Sequence, residues 1–314
     1  MEFVALRYFH ETARLGSVRS AADTLHVTPS SISRMIANLE QEFGARLFER
    51  IAKGMRLTDA GVVLARQTQR MFRDLERVRG AIDDLQGLRR GQVTIYGPEG
   101  LVAEFMPKLL AEFHSLYPAI AFNVYFASTD RIVEAVINDE TDIGITFNGP
   151  SRADLTTIVD YSEPLKCLVA PENPLATREK VTLRELIAYP FALPETSFGM
   201  RRLIDQALHK ESLTPNLALN TNSLELAKRM AMTGAAIAFM PGFMVMDDVA
   251  AGRLVSIAVD TPVLSESRVS VCIHRDREIS FAAQELLRFL QSRFGLLSSS
   301  AGAPGVAFGA TQRS

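Results

Sequence analysis

The sequence predicts three successive parts: a helix-turn-helix with a β-hairpin wing, one long helix, and a two-lobed α/β region. Two short helical segments with strong start signals lie within residues 17–43. A heptad repeat of apolar residues follows between residues 71 and 85. From residue 92 onward, strand-like and helix-like segments alternate, which is the pattern of a parallel sheet with right-handed helical crossovers.

The first part begins with a helix over residues 2–15, whose apolar face is Phe3, Leu6, Phe9 and Ala13. Ser17 is a typical N-cap for the next helix, where apolar residues fall three or four apart: Val18, Ala21, Ala22 and Leu25. Thr28 and Pro29 form a second start signal, because Pro is favoured at the first helical position. The buried stripe of this last helix is predicted to be Ile32, Ile36, Leu39 and Phe43.

Four residues lie near the start of that helix and away from its buried stripe: Pro29, Ser30, Ser33 and Arg34. A helix-turn-helix presents such residues to base edges in the major groove. Arg can pair bidentately with guanine, and Ser is small enough to allow close approach. The alternative is a helical hairpin that only packs.

The run of residues 21–34, AADTLHVTPSSISR, resembles the DNA-binding signature of LysR-type transcriptional regulators, and residues 39–50 and 56–61 continue the resemblance. The family usually carries Gln where Pro29 stands and Pro where Ser30 stands. The resemblance implies a sequence-specific regulator of transcription that binds double-stranded DNA. The expected DNA-binding residues of this helix are Thr28, Pro29, Ser30, Ser33 and Arg34.

A short hairpin around Gly54 is predicted to form the wing. Three basic residues lie on it, Arg50, Lys53 and Arg56, and we expect them to contact phosphates, which position a protein without reading sequence. The alternative is an ordinary solvated face. Residues 1–90 carry 15 Lys and Arg against 11 Asp and Glu, whereas the remainder carries 19 against 25. A net positive N-terminal segment followed by a net negative remainder fits a nucleic-acid-binding domain joined to a regulatory domain.

The long helix is expected to start at the cap Thr58 and to reach about Leu88. Its apolar residues are spaced four and three apart, as in a coiled-coil seam: Met71, Leu75, Val78, Ile82 and Leu85. A helix of this length with one apolar seam favours pairing with a second copy of the chain, and paired linker helices are what the resemblance implies. The alternative is packing on its own domain. The resemblance also allows a homotetramer.

The α/β region is predicted over residues 91–294, with two chain crossings, near Tyr161–Pro164 and Pro262–Glu266. It resembles the periplasmic-binding-protein-like effector domain of the same family. The predicted domains are therefore 1–58 for DNA binding, 59–90 for the linker and dimerisation helix, and 91–294 for effector binding. Within the last, lobe 1 is 91–161 with 267–294, and lobe 2 is 162–266. Residues 295–314 are expected to be a disordered tail.

Ligands of doubly wound sheets sit outside the carboxyl ends of the strands, where helix N-termini offer free N–H groups. The residues at those ends form the predicted effector site: Glu99, Gly100, Ser128, Thr129, Asn148, Ser197, Phe198 and Asn222. In the family, hydroxyls at several of these places bind a small effector. The alternative is that Ser128, Ser197 and Asn222 only cap helices.

Many family members carry Ser after the first strand of this region, where this chain has Pro98, followed by Glu99. One interpretation is that Glu99 only stabilises the N-terminus of a helix beginning near Leu101. The other is that its carboxylate occupies the place where an anionic effector would dock. A ligand with an ammonium or several hydroxyls would then fit better than a simple carboxylate.

Other function classes find little support. Neither a nucleophile-elbow Ser nor a P-loop occurs, so we expect no enzyme and no cofactor, although the two-lobed fold also hosts catalysts. No Cys and His have metal-ligand spacing, and Cys167 and Cys272 are expected to be buried thiols, with a redox pair as the alternative. The sequence has no signal peptide or membrane-spanning run, which predicts a cytoplasmic protein. A further alternative is a DNA-binding scaffold that has no effector. RNA polymerase is also an expected partner of the protein.

Overall fold

The computed structural model describes residues 2–51, 54–85, 90–101 and 105–300. The chain divides into two compact units. One comprises residues 1–79 with 138–140, and the other comprises residues 80–137 with the chain from 141 onward.

The first unit contains three helices, a two-stranded hairpin and most of the long helix. In chain order these elements are α1 (Phe3–Leu15), α2 (Val18–Leu25), α3 (Pro29–Phe43), β1 (Phe48–Ile51), β2 (Gly54–Leu57) and α4 (Asp59–Leu85).

Side-chain caps set the helix starts of the first unit. The backbone N–H of Ser20 donates to Ser17 Oγ at 3.2 Å, and that of Ser31 donates to Thr28 Oγ1 at 3.3 Å. Thr58 accepts in the same way from Gly61 N at 3.0 Å and so begins α4. The predicted caps are therefore confirmed, because Ser and Thr oxygens satisfy the N–H groups that a helix start leaves free.

The core of the first unit is formed by α1, α2, α3 and the hairpin. Its buried apolar residues are Ala5, Leu6, Phe9, Ala21, Ala22, Ile32, Ile36, Leu39, Leu47 and Phe48. Phe43 was expected in this core but is 47% exposed. It is the last residue of α3, and Gly44 turns the chain away there with a φ of 63°. Phe3 is also exposed and packs edge-to-face on Phe72 of α4.

Two glycines let backbone segments of this unit meet. A Cβ on Gly54 would lie 2.4 Å from the carbonyl oxygen of Gly16, which also accepts a hydrogen bond from Met55 N at 2.8 Å. A Cβ on Gly61 would lie 2.0 Å from the carbonyl oxygen of Leu47. Only glycine permits these distances, so the hairpin and the start of α4 are held tightly against the helical core.

The second unit contains eleven strands and eight helices within the described residues. Continuing in chain order, they are β3 (Gly91–Gly97), α5 (Phe105–Leu116), β4 (Ile120–Phe126), α6 (Thr129–Ile137), β5 (Ile143–Phe147), β6 (Leu155–Ser162), β7 (Leu165–Val169), β8 (Lys180–Val181), α7 (Leu183–Leu186), β9 (Pro190–Pro194), α8 (Gly199–Lys210), β10 (Asn216–Thr221), α9 (Leu224–Met232), β11 (Ala238–Pro241), α10 (Met246–Ala250), β12 (Val255–Val259), α11 (Pro262–Ser265), β13 (Arg268–His274) and α12 (Phe281–Ser300).

The first lobe of this unit is built on a five-stranded sheet in the order β4-β3-β5-β13-β6. Strand β3 pairs in parallel with β4 and β5, as the βαβαβ pattern predicts. Strand β13 returns to this sheet, as expected, but runs antiparallel to both β5 and β6. The sheet is therefore mixed, and the parallel arrangement predicted for it holds only for its first three strands.

Strand β6 was not predicted. Its burial alternates only loosely, and it contains Thr156, Thr157 and Asp160 at the edge of the sheet. An edge strand faces water along much of its length, so its apolar signal is weak. Helix α12 packs against β3, β6 and α5 and continues to Ser300. The disordered tail predicted over residues 295–314 is therefore wrong for residues 295–300, and residues 301–314 lie outside the described part of the chain. Gly295 is tolerated inside the helix, where an interior Gly costs about 1 kcal/mol relative to Ala.

The second lobe contains a four-stranded sheet, β11-β7-β12-β8, and the parallel pair β9-β10. The two are joined where Ala192 N donates to Ile237 O and Ile237 N donates to Pro190 O, both at 2.8 Å. The chain passes between the lobes next to Glu163 and Ser267. Glu163 N donates to Ser267 O at 2.9 Å, and Ser267 Oγ donates to Glu163 O at 2.6 Å, so the two crossing segments run side by side.

The close approach at Gly61 yields a stability prediction. Gly61→Ala should lower the apparent Tm, because the new methyl group would overlap the Leu47 carbonyl, and overpacking costs about 1–3 kcal/mol. Gly80→Ala is the matched control in the same helix, since no atom lies within 4 Å of its Cβ position. That variant should be neutral or more stable by about 0.5–1 kcal/mol. Thermal unfolding followed by circular dichroism makes the comparison, and equal effects at both positions would contradict the packing argument.

Candidate DNA-binding surface and interlobe cleft

The start of α3 presents a small polar surface. Thr28, Pro29, Ser30, Ser33 and Arg34 are all exposed there, on the side opposite the buried residues of the helix. The Thr28 hydroxyl lies 3.0 Å from that of Ser30 and caps the helix. Arg34 makes no ion pair with any residue that the structure describes, so its guanidinium is available to an external partner.

The described basic residues of the wing differ in whether they form an ion pair. Arg50 is exposed and makes no ion pair within the described part of the chain. Arg56 pairs across the hairpin with Glu49, at 2.7 Å, and this hydrogen bond raises the pKa of the Arg56 guanidinium. Part of its charge is therefore already balanced by Glu49. Lys53 lies outside the described residues.

The heptad residues of α4 differ in burial. Leu75, Val78 and Ile82 are 41%, 55% and 49% exposed, which is unusual for three aliphatic side chains on one helix face. Met71 is half-buried and packs against the core of the first unit. For Leu85, only the backbone lies within the described structure. The apolar stripe that is open to a partner is therefore Leu75, Val78 and Ile82.

A cleft of about 980 Å³ lies between the two lobes of the second unit. Six of the predicted effector residues line it: Glu99, Gly100, Ser128, Ser197, Phe198 and Asn222. A Cβ on Gly100 would lie 2.3 Å from Met244 Sδ, so the loop after β3 reaches the second lobe closely. The ends of the strands in both lobes thus meet at one site, as the fold class leads one to expect.

Two predicted residues lie elsewhere. Thr129 is buried, and its hydroxyl accepts a hydrogen bond from Gly199 N at 2.9 Å. Thr129 therefore joins the lobes and is absent from the cleft wall. Asn148, whose φ is 47°, lines a separate cavity of about 460 Å³ together with Arg152 and Arg268.

Further contacts hold the lobes together beside the cleft. Asp130 N donates to Ser197 O at 3.2 Å, and the Asp130 carboxylate pairs with Arg202 at 2.8 Å. A Cβ on Gly199 would lie 2.0 Å from the carbonyl oxygen of Phe147. The start of α8 therefore rests directly on the end of β5.

Glu99 crosses the cleft. Its Oε2 accepts from Leu224 N at 2.6 Å and from Glu225 N at 3.4 Å, and Ser223 Oγ donates to its Oε1 at 3.3 Å. Of the two interpretations given for Glu99, its contacts do not match the first, because its carboxylate bonds to α9 and not to a helix beginning near Leu101. Residues 102–104 lie outside the described part of the chain. Residues Glu99–Leu101 form a short 3-10 turn, and the carboxylate caps α9 of the opposite lobe. Strand-to-helix spacing in the sequence could not reveal a contact between distant segments.

The cleft wall also holds a cluster of charges that sequence reasoning missed. Lys228 is buried, and its ammonium lies 2.8 Å from Asp248 and 2.9 Å from Glu225. Burial lowers the pKa of Lys228, but the hydrogen bonds to Asp248 and Glu225 outweigh it, and the pKa is raised. Burial likewise raises the pKa of Asp248, and its bonds to Lys228 and Arg253 lower it more. Lys228 follows Leu224 by four residues, so helical spacing places both on one face.

The cysteines lie apart from this cleft. Cys167 and Cys272 are free and buried, which agrees with the expected buried thiols. Burial raises the pKa of the Cys167 thiol and raises that of Cys272 to about 12, which disfavours the reactive thiolate. Within the described ranges, no three His, Cys, Asp or Glu side chains are grouped to hold a metal ion. None of the helices found there is long and apolar enough to span a membrane.

Two family models match the chain over most of its length. Residues 3–62 match the bacterial regulatory helix-turn-helix protein, lysR family, and residues 86–295 match the LysR substrate binding domain. The chain therefore belongs to the LysR family. It is a LysR-type transcriptional regulator with a DNA-binding domain and an effector-binding domain.

Individual relatives agree with this assignment. The transcriptional dual regulator GltC of Bacillus subtilis is 28% identical over 95% of this chain and 99% of its own. The crystal structure of full-length CbnR with its target DNA has a TM-score of 0.67 at 21% identity, covering 93% of this chain and 99% of that one. The regulatory domain of Synechocystis CcmR, in complex with 2-PG, has a TM-score of 0.59 at 22% identity, covering 65% and 98%. The CbnR structure shares the fold of most of this chain, and the CcmR domain shares the fold of the part that it covers.

Proposed function

We propose that this regulator reads DNA through the first turns of α3, pairs with a second copy through α4, and is switched by a small molecule bound between the lobes of the second unit. The observation that carries the DNA-reading role is the exposed surface at the start of α3, with Arg34 unpaired among the described residues. Arg that is free of internal partners keeps both of its donor pairs for guanine. Arg50 and Lys53 of the wing, and more weakly Arg56, contact phosphates.

Pairing through α4 is supported by the stripe of Leu75, Val78 and Ile82. Exposed aliphatic residues at heptad spacing bury their surface when a second helix packs against them. Such pairing brings two helix-turn-helix units together, and a dimer of this kind binds two half-sites. The bound DNA in the CbnR complex supports double-stranded DNA as a partner of this chain.

The small-molecule role is supported by the cleft. Its volume of about 980 Å³ is within the range of ligand sites, and its wall combines Phe198, Met240 and Met244 with polar groups. The 2-PG complex of CcmR supports a compact metabolite as the class of effector. Such a regulator acts on chromosomal DNA in the cytoplasm and alters the engagement of RNA polymerase.

Arg34→Ala should remove discrimination at one base pair of a site selected from random DNA, at a cost of about 1–3 kcal/mol for a bidentate guanine contact. Arg50→Ala is the comparison: it should weaken binding to all sequences alike and reduce the salt dependence. Gel-shift titrations of the selected site and its single-base variants at matched salt measure both effects. If Arg34→Ala binds every variant with the same preference as the parent, Arg34 is not a base reader.

Replacement of both Leu75 and Val78 by Lys should yield a smaller species in sedimentation, because pairing would then bury unpaired charges. The matched control replaces Val62 and Val63, which are exposed on the same helix but outside the heptad frame, by Lys. This control should keep the parent's oligomeric state. If the Leu75 and Val78 variant keeps the sedimentation coefficient of the parent, the interface between copies does not lie on α4.

A thermal-shift screen of the full chain against anionic, zwitterionic and cationic metabolites should find a ligand whose stabilisation rises with the logarithm of its concentration. That ligand should also change the affinity for the selected DNA site. Ser128→Trp, which fills the cleft wall, should abolish the ligand response and leave ligand-free DNA binding intact. If no metabolite changes either the Tm or the DNA affinity, the result would favour a DNA-binding scaffold without an effector.

A further inference from the structure

Every N–H group in the first turn of α9 has a partner. Ser223 N donates to Thr221 Oγ1 at 3.0 Å, and Leu226 N donates to Ser223 Oγ at 3.2 Å. The two N–H groups between them, of Leu224 and Glu225, donate to Glu99 Oε2. A helix N-terminus attracts anions through such free N–H groups and its dipole. Here a carboxylate from the other lobe already fills that place.

Three cations of the cleft wall are also matched by carboxylates of the chain itself. Lys228 and Arg253 both pair with Asp248, at 2.8 and 2.6 Å, and Arg229 pairs with Glu225 at 2.8 Å. Glu195, which lines the same cleft, makes no ion pair within the part of the chain that the structure describes. The fourth cation of the wall, Arg131, lies over the Tyr96 ring, with its guanidinium carbon 5.5 Å from the ring centroid. The described lining residues include five carboxylates and four cations, so the cleft has no excess of positive charge for an anionic ligand.

We propose that Glu99 is a specificity-determining residue that acts as a built-in carboxylate ligand for α9. It closes the end of the cleft where a carboxylate or phosphate would otherwise bind. A carboxylate accepts about four hydrogen bonds, and Oε1 of Glu99 accepts one, from Ser223 Oγ. An effector that reaches Glu99 must therefore present a donor, an ammonium or hydroxyl group, and not an acid group. This inference rests on the proposed role of the cleft as the effector site.

Removal of the Glu99 side chain should reopen the anion site to a small carboxylate added from solution. The experiment measures the Tm of the full-length Glu99→Ala variant in rising sodium acetate, with sodium chloride at equal ionic strength as the reference. Acetate should raise the Tm of this variant saturably, by about 2–4 °C for roughly 1 kcal/mol of binding energy. The parent should show no such rise, because its own carboxylate holds the site.

Two further variants control for general effects. Glu195→Ala removes a carboxylate from the same cleft wall without emptying a helix N-terminus, so it should respond like the parent. Glu99→Gln leaves no hole for acetate and should also show no acetate-specific rise. If Glu99→Ala does not fold, Glu99→Ser vacates the same place with a residue suited to a tight turn, and it is expected to give the same acetate response.

The inference is overturned if acetate and chloride act alike on the variants that lack the Glu99 side chain. It is also overturned if acetate stabilises the parent to the same extent. No effector is used in this experiment, so its failure leaves the metabolite screen untouched. Conversely, if the metabolite screen finds no ligand, the effector role is refuted, but an acetate response of Glu99→Ala would still establish the anion site.

Discussion

The cleft of the second unit depends on one close approach of two backbones. Gly199 begins α8 directly over the end of β5, where a Cβ would lie only 2.0 Å from the Phe147 carbonyl oxygen. Its N–H donates to the Thr129 hydroxyl, and Asp130 N donates to the carbonyl of Ser197 in the same place. Any side chain at residue 199 would have to push the lobes apart. The short distance brings loops from both lobes to a single site.

Within that site, the same residue types that often bind ligands are engaged in internal pairs. Lys228 is held by Glu225 and Asp248, and the N-terminus of α9 is held by Glu99. Buried charges persist only when they are paired, because desolvation of a lone charge is costly. At the start of α3 the situation is the reverse, since Arg34 is exposed and has no internal ionic partner among the described residues. Charged side chains that are paired within the chain, such as Lys228, therefore stabilise the fold, whereas an unpaired one such as Arg34 is available to bind another molecule.

Much of the fold was accessible to sequence reasoning because its signals are local. The caps Ser17, Thr28 and Thr58 act within three residues of their own position, and each forms as predicted. Predictions were weaker where the environment decides the outcome. Strand β6 was missed because it lies at a sheet edge, and Phe43 is exposed because its position at the end of α3 turns it from the core.

Local signals in the sequence were sufficient to predict the helix-turn-helix, the alternation of strands and helices over most of the α/β region, and most of the loops that line the cleft, because caps, periodicity and turn residues act between near neighbours. The sequence also established the heptad spacing of α4. Three roles depend on tertiary packing: Glu99 caps a helix more than 120 residues away, Thr129 joins the lobes, and Asn148 lines another cavity. Such contacts join distant segments, and their geometry exists only once the two lobes have packed.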